Sequence, residues 1–395
     1  MPALTKAQHK QIQAAEESFN RTYAGQYNDE RWQNSLRPAL LAPTRYAVLI
    51  NRYEADCIPS SFTENDARDL QLIDFPSGLG PGPSEYSEAT TGGDGQRRLI
   101  SYQRISTAET AESPVSEASF PPPQSVPSTS PRLMTHWNLD AASLLAVSVL
   151  NPRPGDKVLD LCAAPGGKSL TLAQLLRPAN YDPAAPSLGG GCLHSNEIDN
   201  ARNKRLASNL QSYLPAPFFK TGEVKVLKLD GTEQHATQSL PLGLGGYDKV
   251  LLDAPCSSER HVLHAHHRAR QGGRAADEMA SWRSGQSKKT AKIQAAILLT
   301  ALRAVRVGGT VLYATCSLSR DENDDVVDKA RELVAKERKK YATRWDVAVR
   351  SGDLAGRGFE QWAESTKHGW IVLPDHPSGG RWGPLFFAVL EKVAA

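Results

Sequence analysis

Cysteine is scarce in this chain: there are five among 395 residues, none in a C-x-x-C pair. That argues against a disulfide framework and against a cysteine-based metal site, and it points to a reducing compartment. No apolar run approaches the roughly 20 residues that span a bilayer, so no membrane segment is expected. The N-terminal stretch has no apolar signal core, and Glu16 and Glu17 near Lys6 and Lys10 leave no evident acid-poor transit peptide. An excess of one charge is missing too. The net charge is +3, so any attraction to a polyanion must come from local clusters. Two glycine fingerprints are absent, G-x-G-x-x-G and G-x-x-x-x-G-K-[ST], which removes the dinucleotide and phosphate-loop readings. What is present is a hydrophobic fraction of 40%, enough for a real core, in a length that suits two domains or one decorated domain.

The chain is organised around VLDLCAAPGGK, residues 158–168. Its first residues read as a short central strand, the small residues as a tight turn, and 169–176 as a helix. A strand feeding a glycine turn into a helix is the usual ligand cradle of an open α/β sheet. Gly166 and Gly167 lack a Cβ, so backbone and ligand can approach closely.

Before this stretch, residues 4–55 read as helical, with Ala14, Phe19, Tyr23 and Tyr27 near helical spacing and a second helix through Tyr46, Leu49, Ile50 and Tyr53. The interleaved Arg21, Arg31, Arg37, Arg45 and Arg52 suit either RNA contact or a solvated face. Residues 76–131 are rich in Pro, Ser, Thr, Gly and Glu and predict disorder, with 97–105 as an ordered island. The expected organisation is a helical region at 1–75 able to contact RNA, a disordered insert at 76–131, and a catalytic domain at 132–395. In that last part, 192–196, 224–228, 249–252, 310–314 and 385–390 read as further strands. Helices are expected near 140–150, 199–213, 289–305 and 320–336. Near-continuous apolar strands with helices between them predict an α/β fold with a mostly parallel sheet covered on both faces.

Acids stand where these strands end: Glu197, Asp230 and Asp253. Ligands in such folds bind at the carboxyl ends of the strands. An acid after the second strand suits ribose hydroxyls and one after the third suits an adenine amino group, although a helix cap is the commoner role of any single acid. Two cysteines share that edge. Cys256 follows Asp253-Ala254-Pro255, and Cys316 sits in Thr315-Cys316-Ser317. A lone cysteine is usually a small buried hydrophobe, but two at neighbouring strand ends in polar turns suit nucleophilic chemistry. Lys168 nearby would favour a thiolate.

Three stretches, VLDLCAAPGGK, YDKVLLDAPCSSERH and LYATCSLSRDEN, resemble successive motifs of the Sun-domain family of RNA (cytosine-5) methyltransferases, and SNEIDNAR, LDGT and GPLFFAVLEK extend the likeness over roughly residues 133–395. ERW, PTRYAVLINRY, DAASLL and Arg260-His261 resemble the subgroup typified by mitochondrial members. The resemblance implies a Rossmann-like class I fold with a mostly parallel seven-stranded sheet, plus a small N-terminal helical region. It implies S-adenosylmethionine as cofactor, an rRNA or tRNA partner, and a mitochondrial setting, with cytoplasm or nucleus as alternatives; no metal is expected, because His264 and His267 have no matching ligand set. A ribosome-assembly protein is a further expected partner.

For the site, the resemblance implies Cys316 as nucleophile at cytosine carbon 6, Cys256 in proton removal and RNA release, Asp253 on the base, and Lys168 placing Asp253. It implies a cofactor cradle of Cys162, Ala163, Ala164, Pro165, Gly166, Gly167 and Lys168, with Glu197 and Arg202 at the ribose, Asp230 and Gly231 at the adenine, and Asp253 close by. Glu197 stands where many relatives have Asp. The segments 76–131 and 178–191 look like inserts. The basic run from Arg260 to Lys292, with His261, His264, His266, His267, Arg268, Arg270, Arg274, Arg283, Lys288 and Lys289, reads as a loop that suits phosphate contacts or plain solvation. Four alternatives remain: a tRNA methyltransferase, a non-catalytic ribosome-assembly factor, a DNA cytosine methyltransferase using the Pro-Cys thiol, and a small-molecule methyltransferase.

Overall fold

The apolar runs of the second half pair side by side and in parallel. In the computed structural model, β5 (Lys157–Asp160) lies between β6 (Cys192–Asn196) and β8 (Tyr247–Asp253), β7 (Val224–Leu227) flanks β6, and β9 (Val305–Thr315) flanks β8. β13 (Leu385–Ala394) runs antiparallel to β9 and carries β10 (Trp345–Val349) along one half and β12 (Trp370–Val372) along the other. β11 (Glu364–Ser365) pairs with β12. Among the described residues nine strands thus form the sheet; β11 and β12 are additions to the seven expected. The structure describes residues 5–54, 70–76, 78, 99–104, 120–124, 133–178, 180–272 and 277–395.

The chain leaves β5 towards β6 and β7, then returns to place β8 on the other side of β5. This reversal opens the crevice in which doubly wound sheets bind ligands. Register does the rest. Asp160 pairs with Leu251, and Asp253 pairs with Ala314, so the turns that follow β5, β8 and β9 leave the sheet together. The strands are buried on both faces, as their unbroken apolar sequences require: Val158, Leu159, Val250, Leu251, Leu252, Val311 and Leu312 are all fully buried. Helices Ala141–Leu150, Gly167–Leu176, Asn200–Tyr213, Gln286–Ala304 and Asp324–Tyr341 cover the sheet.

The N-terminal region departs from the helical expectation. Lys6–Tyr27 is a helix, started by Thr5 and Gln8 in a reciprocal cap. Its buried stripe is Ala15, Phe19 and Tyr23, whereas Ala14 is exposed. Residues 46–50, however, form a strand, β1 (Tyr46–Ile50), rather than a second helix. Tyr46, Leu49, Ile50 and Tyr53 match a helical spacing, but burial of four consecutive residues between two partner strands outweighs that short pattern. A four-stranded antiparallel sheet results, in the order β2 (Leu70–Leu72), β3 (Ser101–Arg104), β1, β4 (His136–Asp140). Most of the expected disordered insert at 76–131 lies outside the described residues. Its described parts are built in: β3 pairs with β1, and Phe120 packs on Val48 and Ile50.

This region shares its cores with the catalytic sheet. Ala47, Leu49 and Tyr53 join the cluster that holds Val158 and Leu251; Phe19, Tyr23, Trp32, Leu36 and Leu40 join the one that holds Leu159 and Val250. Fully burying a large apolar side chain is worth about 1.5–3 kcal/mol, so Trp32, Leu36 and Leu40 alone anchor the arm firmly. Among the described residues, no helix is long and apolar enough to cross a membrane.

Candidate active site

The turn after β5 opens a cavity of about 210 Å³ lined by Cys162, Ala163, Ala164, Pro165, Gly167, Lys168, Asp160 and Asp253. Gly166 holds φ +121, which an L side chain rarely adopts. At Gly167 the reason for glycine differs from the ligand approach expected: a Cβ there would lie 2.8 Å from Trp137 Nε1. Trp137, Asn138 and Leu139 of β4, with Ser143, form the opposite wall. No motif in the sequence marked Trp137, Asn138 and Leu139, which come from the N-terminal sheet, whereas Ser143 lies within DAASLL.

Two acceptors in this cavity wall lack a partner: Asp160 Oδ1, in a fully buried residue, and Asn138 Oδ1. The other Asp160 oxygen accepts from Ser169 Oγ at 2.6 Å. Burial, with Asp253 nearby, pushes the Asp160 carboxyl up to about 7. A buried acceptor without a donor is costly, so the cavity is suited to a ligand that brings positive N–H groups. The α-ammonium of S-adenosylmethionine is such a group, and these residues fit it.

The ribose and adenine candidates are gathered by Asn196. Its Nδ2 donates to Leu161 O and Leu229 O, and its Oδ1 accepts from Leu229 N at 2.9 Å, tying together the ends of β5, β6 and β7. Glu197 beside it is buried; one oxygen accepts from Asp199 N and the other meets Arg202 Nη2 at 3.3 Å. Arg202 also donates to Ala164 O, joining the second loop to the cradle. Asp230 Oδ1 accepts from Thr232 N and Thr232 Oγ, a local turn of the kind expected of a capping acid, and Gly231 packs close to Ile297. Neither Glu197 nor Asp230 lines the cavity itself.

The thiols meet. Cys256 Sγ lies 2.9 Å from Cys316 Sγ, and Ser258 Oγ lies 2.7 Å from Cys316 Sγ. Hydrogen bonds from Cys256 and Ser258 hold the Cys316 thiol below its ordinary range, while the bond to Cys316 and burial push Cys256 well up. The pairing therefore favours ionisation of Cys316 over that of Cys256. Lys168 Nζ donates to Asp253 Oδ2 at 2.7 Å; burial pulls its ammonium down, but Asp253 more than offsets this and keeps it charged.

A strand-end acid paired with a lysine, beside two thiols in contact, is the equipment for adding a sulfur to an electron-poor ring and stabilising the charge that results. The family model described as 16S rRNA methyltransferase RsmB/F matches residues 147–347, which carry all of these groups. The chain belongs to the RsmB/F family. It is an S-adenosylmethionine-dependent RNA (cytosine-5) methyltransferase. It is 31% identical over 407 residues to the 5-cytosine rRNA methyltransferase NSUN4 of Bos taurus, covering 99% of this chain and 92% of that one. It is 30% identical to the mitochondrial tRNA (cytosine(34)-C(5))-methyltransferase of Danio rerio, covering 99% and 90%. Among solved structures, NSun6 from Pyrococcus horikoshii with SFG shares the fold at a TM-score of 0.58 and 16% identity, covering 96% of this chain and 98% of that one.

The basic run differs from the expected loop. Glu259–Gln271 is a helix whose buried face is Val262, Leu263 and His266. Arg260 donates to Leu40 O, Ala42 O and Gly383 O, and His264 to Leu40 O at 2.7 Å, so both bind protein carbonyls instead of phosphate. Arg31 is likewise spent on Glu364 and Asp375, and Arg37 on Glu16. Arg268, Lys288, Lys289 and Lys292 are exposed, and Arg274 lies outside the described residues. Among the described residues, no group of three His, Cys, Asp or Glu could hold a metal ion.

Proposed function

We propose that this enzyme methylates a cytosine of rRNA in the mitochondrion, with Cys316 as nucleophile and Cys256 as its partner in release. The observation that carries the mechanism is the thiol pair, two sulfurs 2.9 Å apart where β8 and β9 end. Cys316 attacks carbon 6 of cytosine, the carbon 5–carbon 6 double bond opens, and carbon 5 becomes nucleophilic. S-adenosylmethionine supplies the methyl group. Asp253, oriented by Lys168, bonds the exposed edge of the ring as charge moves onto it. Once its neighbour's sulfur is bound to carbon, Cys256 passes its own proton to solvent and its thiolate takes the carbon-5 proton, whose bonding electrons restore the carbon 5–carbon 6 double bond. The bond from Cys316 to carbon 6 then breaks and the thiolate returns.

Asp160 and Asn138 would take the cofactor ammonium, residues 162–168 the methionine part, Glu197 and Arg202 the ribose, and Asp230 with Gly231 the adenine. The target base must be out of any stack to reach two thiols in a crevice, which favours a single-stranded or loop cytosine. Exposed Arg268, Lys288, Lys289 and Lys292 are the groups available for phosphate. The rRNA reading is supported by similarity to NSUN4 over nearly its whole length. A second reading, a mitochondrial tRNA, is supported by the Danio rerio relative at comparable identity, whose name also supports the mitochondrial setting. An rRNA target would bring ribosome-assembly proteins alongside as partners. Bisulfite sequencing of mitochondrial and cytosolic RNA from cells lacking the protein separates these. An rRNA cytosine losing methylation is expected; a tRNA cytosine instead selects the second reading, and no lost site overturns both.

A further inference from the structure

Two buried glutamates are exchanged between the thiol loops. Glu322, on the Cys316 side, accepts from Ser257 N at 3.0 Å and from Ser257 Oγ, beside Cys256. Glu259, on the Cys256 side, accepts from Ser317 Oγ at 3.0 Å and Leu318 N at 2.8 Å, beside Cys316. Each acid therefore fastens the other's loop. A third donor reaches Glu259 from the far end of the chain: Tyr23 Oη, on the N-terminal helix, at 2.7 Å. The same helix sends Tyr27 Oη and Gln26 Nε2 to Leu318 O, at 2.9 and 2.5 Å, and Gln26 Oε1 accepts from Arg320 N.

We propose that Glu259 and Tyr23 are positioning residues that hold the Cys316 sulfur in place for attack, which makes the N-terminal helix part of the catalytic apparatus. The proposal rests on Cys316 being the nucleophile. Glu259 is fully buried, so its charge persists only while its donors do. Among the described residues, Tyr23 supplies the one side-chain donor to Glu259 that comes from outside the two loops. Without it, Glu259 is short of a partner and the Ser317–Leu318 backbone that it holds is free to shift. A displacement of about 1 Å at a reacting group can cost about 100-fold in rate.

The test uses the full chain carrying Tyr23→Phe or Glu259→Gln, with total rRNA from cells lacking the protein as substrate. The readouts are kcat, KM for S-adenosylmethionine, melting temperature, and the rate at which a covalent RNA–protein band forms in a Cys256→Ala background. Tyr23→Phe should lower kcat and band formation about tenfold or more, and Glu259→Gln further, with KM for S-adenosylmethionine unchanged. A lower melting temperature with kcat and band formation intact would overturn the proposal and leave both residues as braces. Should Glu259→Gln not fold, Tyr23→Phe, which keeps the ring in place, decides alone. Cys316→Ala is the control: if that protein still forms the band, the nucleophile assignment has failed instead. If it forms none while Tyr23→Phe forms it at the normal rate, only the present proposal has failed.

Discussion

Removing the hydroxyl of Ser258 should slow the reaction of Cys316 with an electrophile in a pH-dependent way. Ser258 sits at φ +51 before the Glu259–Gln271 helix, yet its side chain makes no capping bond. It lies instead 2.7 Å from Cys316 Sγ. A hydrogen bond to a charged group is worth about 1.5–3 kcal/mol, and about 1.4 kcal/mol is tenfold in an equilibrium. Because Cys256 remains as a donor, the lower end applies, and Ser258→Ala should reduce the neutral-pH thiolate population about tenfold. Iodoacetamide alkylation, read separately for Cys256 and Cys316 by mass spectrometry from about pH 6 to 9, measures that population through the reactive form. The Cys316 rate should fall about tenfold near pH 7 and converge with wild type as both proteins ionise fully. Ser258→Gly, which is at ease at positive φ, should behave alike. An unchanged rate at pH 7, or an equal slowing at every pH, would refute the claim that this hydroxyl stabilises the thiolate.

Other outcomes follow from the same geometry. Glu197→Ala should weaken binding of S-adenosylhomocysteine about 10- to 100-fold in calorimetry; an unchanged affinity would remove Glu197 from the site. Burial raises the Glu322 carboxyl from 4.5 to about 7, so the folded protein holds a proton that the unfolded chain releases, and stability falls as pH rises across that window. In Glu322→Gln that part of the decline in melting temperature should vanish, leaving the part that Asp160 contributes with the same sign; an unaltered slope would contradict the shift. Arg31→Ala should lower the melting temperature through loss of Glu364 and Asp375 while leaving RNA affinity unchanged in filter binding, and a clear loss of affinity would restore an RNA role to that arginine.

The sheet was legible because its parallel strands are buried on both faces and therefore appear as unbroken apolar runs with turns at their ends. The strand-end residues followed, since a doubly wound sheet places its ligands there, and Asp253, Cys256 and Cys316 do leave the sheet side by side. β1 was misread because five residues cannot separate a helical spacing from a strand buried between two partners. The basic helix was hidden because its apolar buried residues are few, Val262 and Leu263 among many charges. Asn196, Trp137 and Ser258 stand in or beside conspicuous segments, but their roles arise from partners far along the chain. So do those of Glu259 and Glu322: spacing along a sequence shows neither which loop an acid reaches nor that two loops exchange their acids.

The central claim is that Cys316 attacks the base and Cys256 releases it, and trapping on a denaturing gel tests it most directly. With methylatable RNA and S-adenosylmethionine, Cys256→Ala should accumulate an RNA–protein band that survives denaturation, because methyl transfer proceeds and elimination does not. Cys316→Ala should give neither band nor 5-methylcytosine, and the double variant should give no band. A band with Cys316→Ala and none with Cys256→Ala would reverse the two roles and contradict the account.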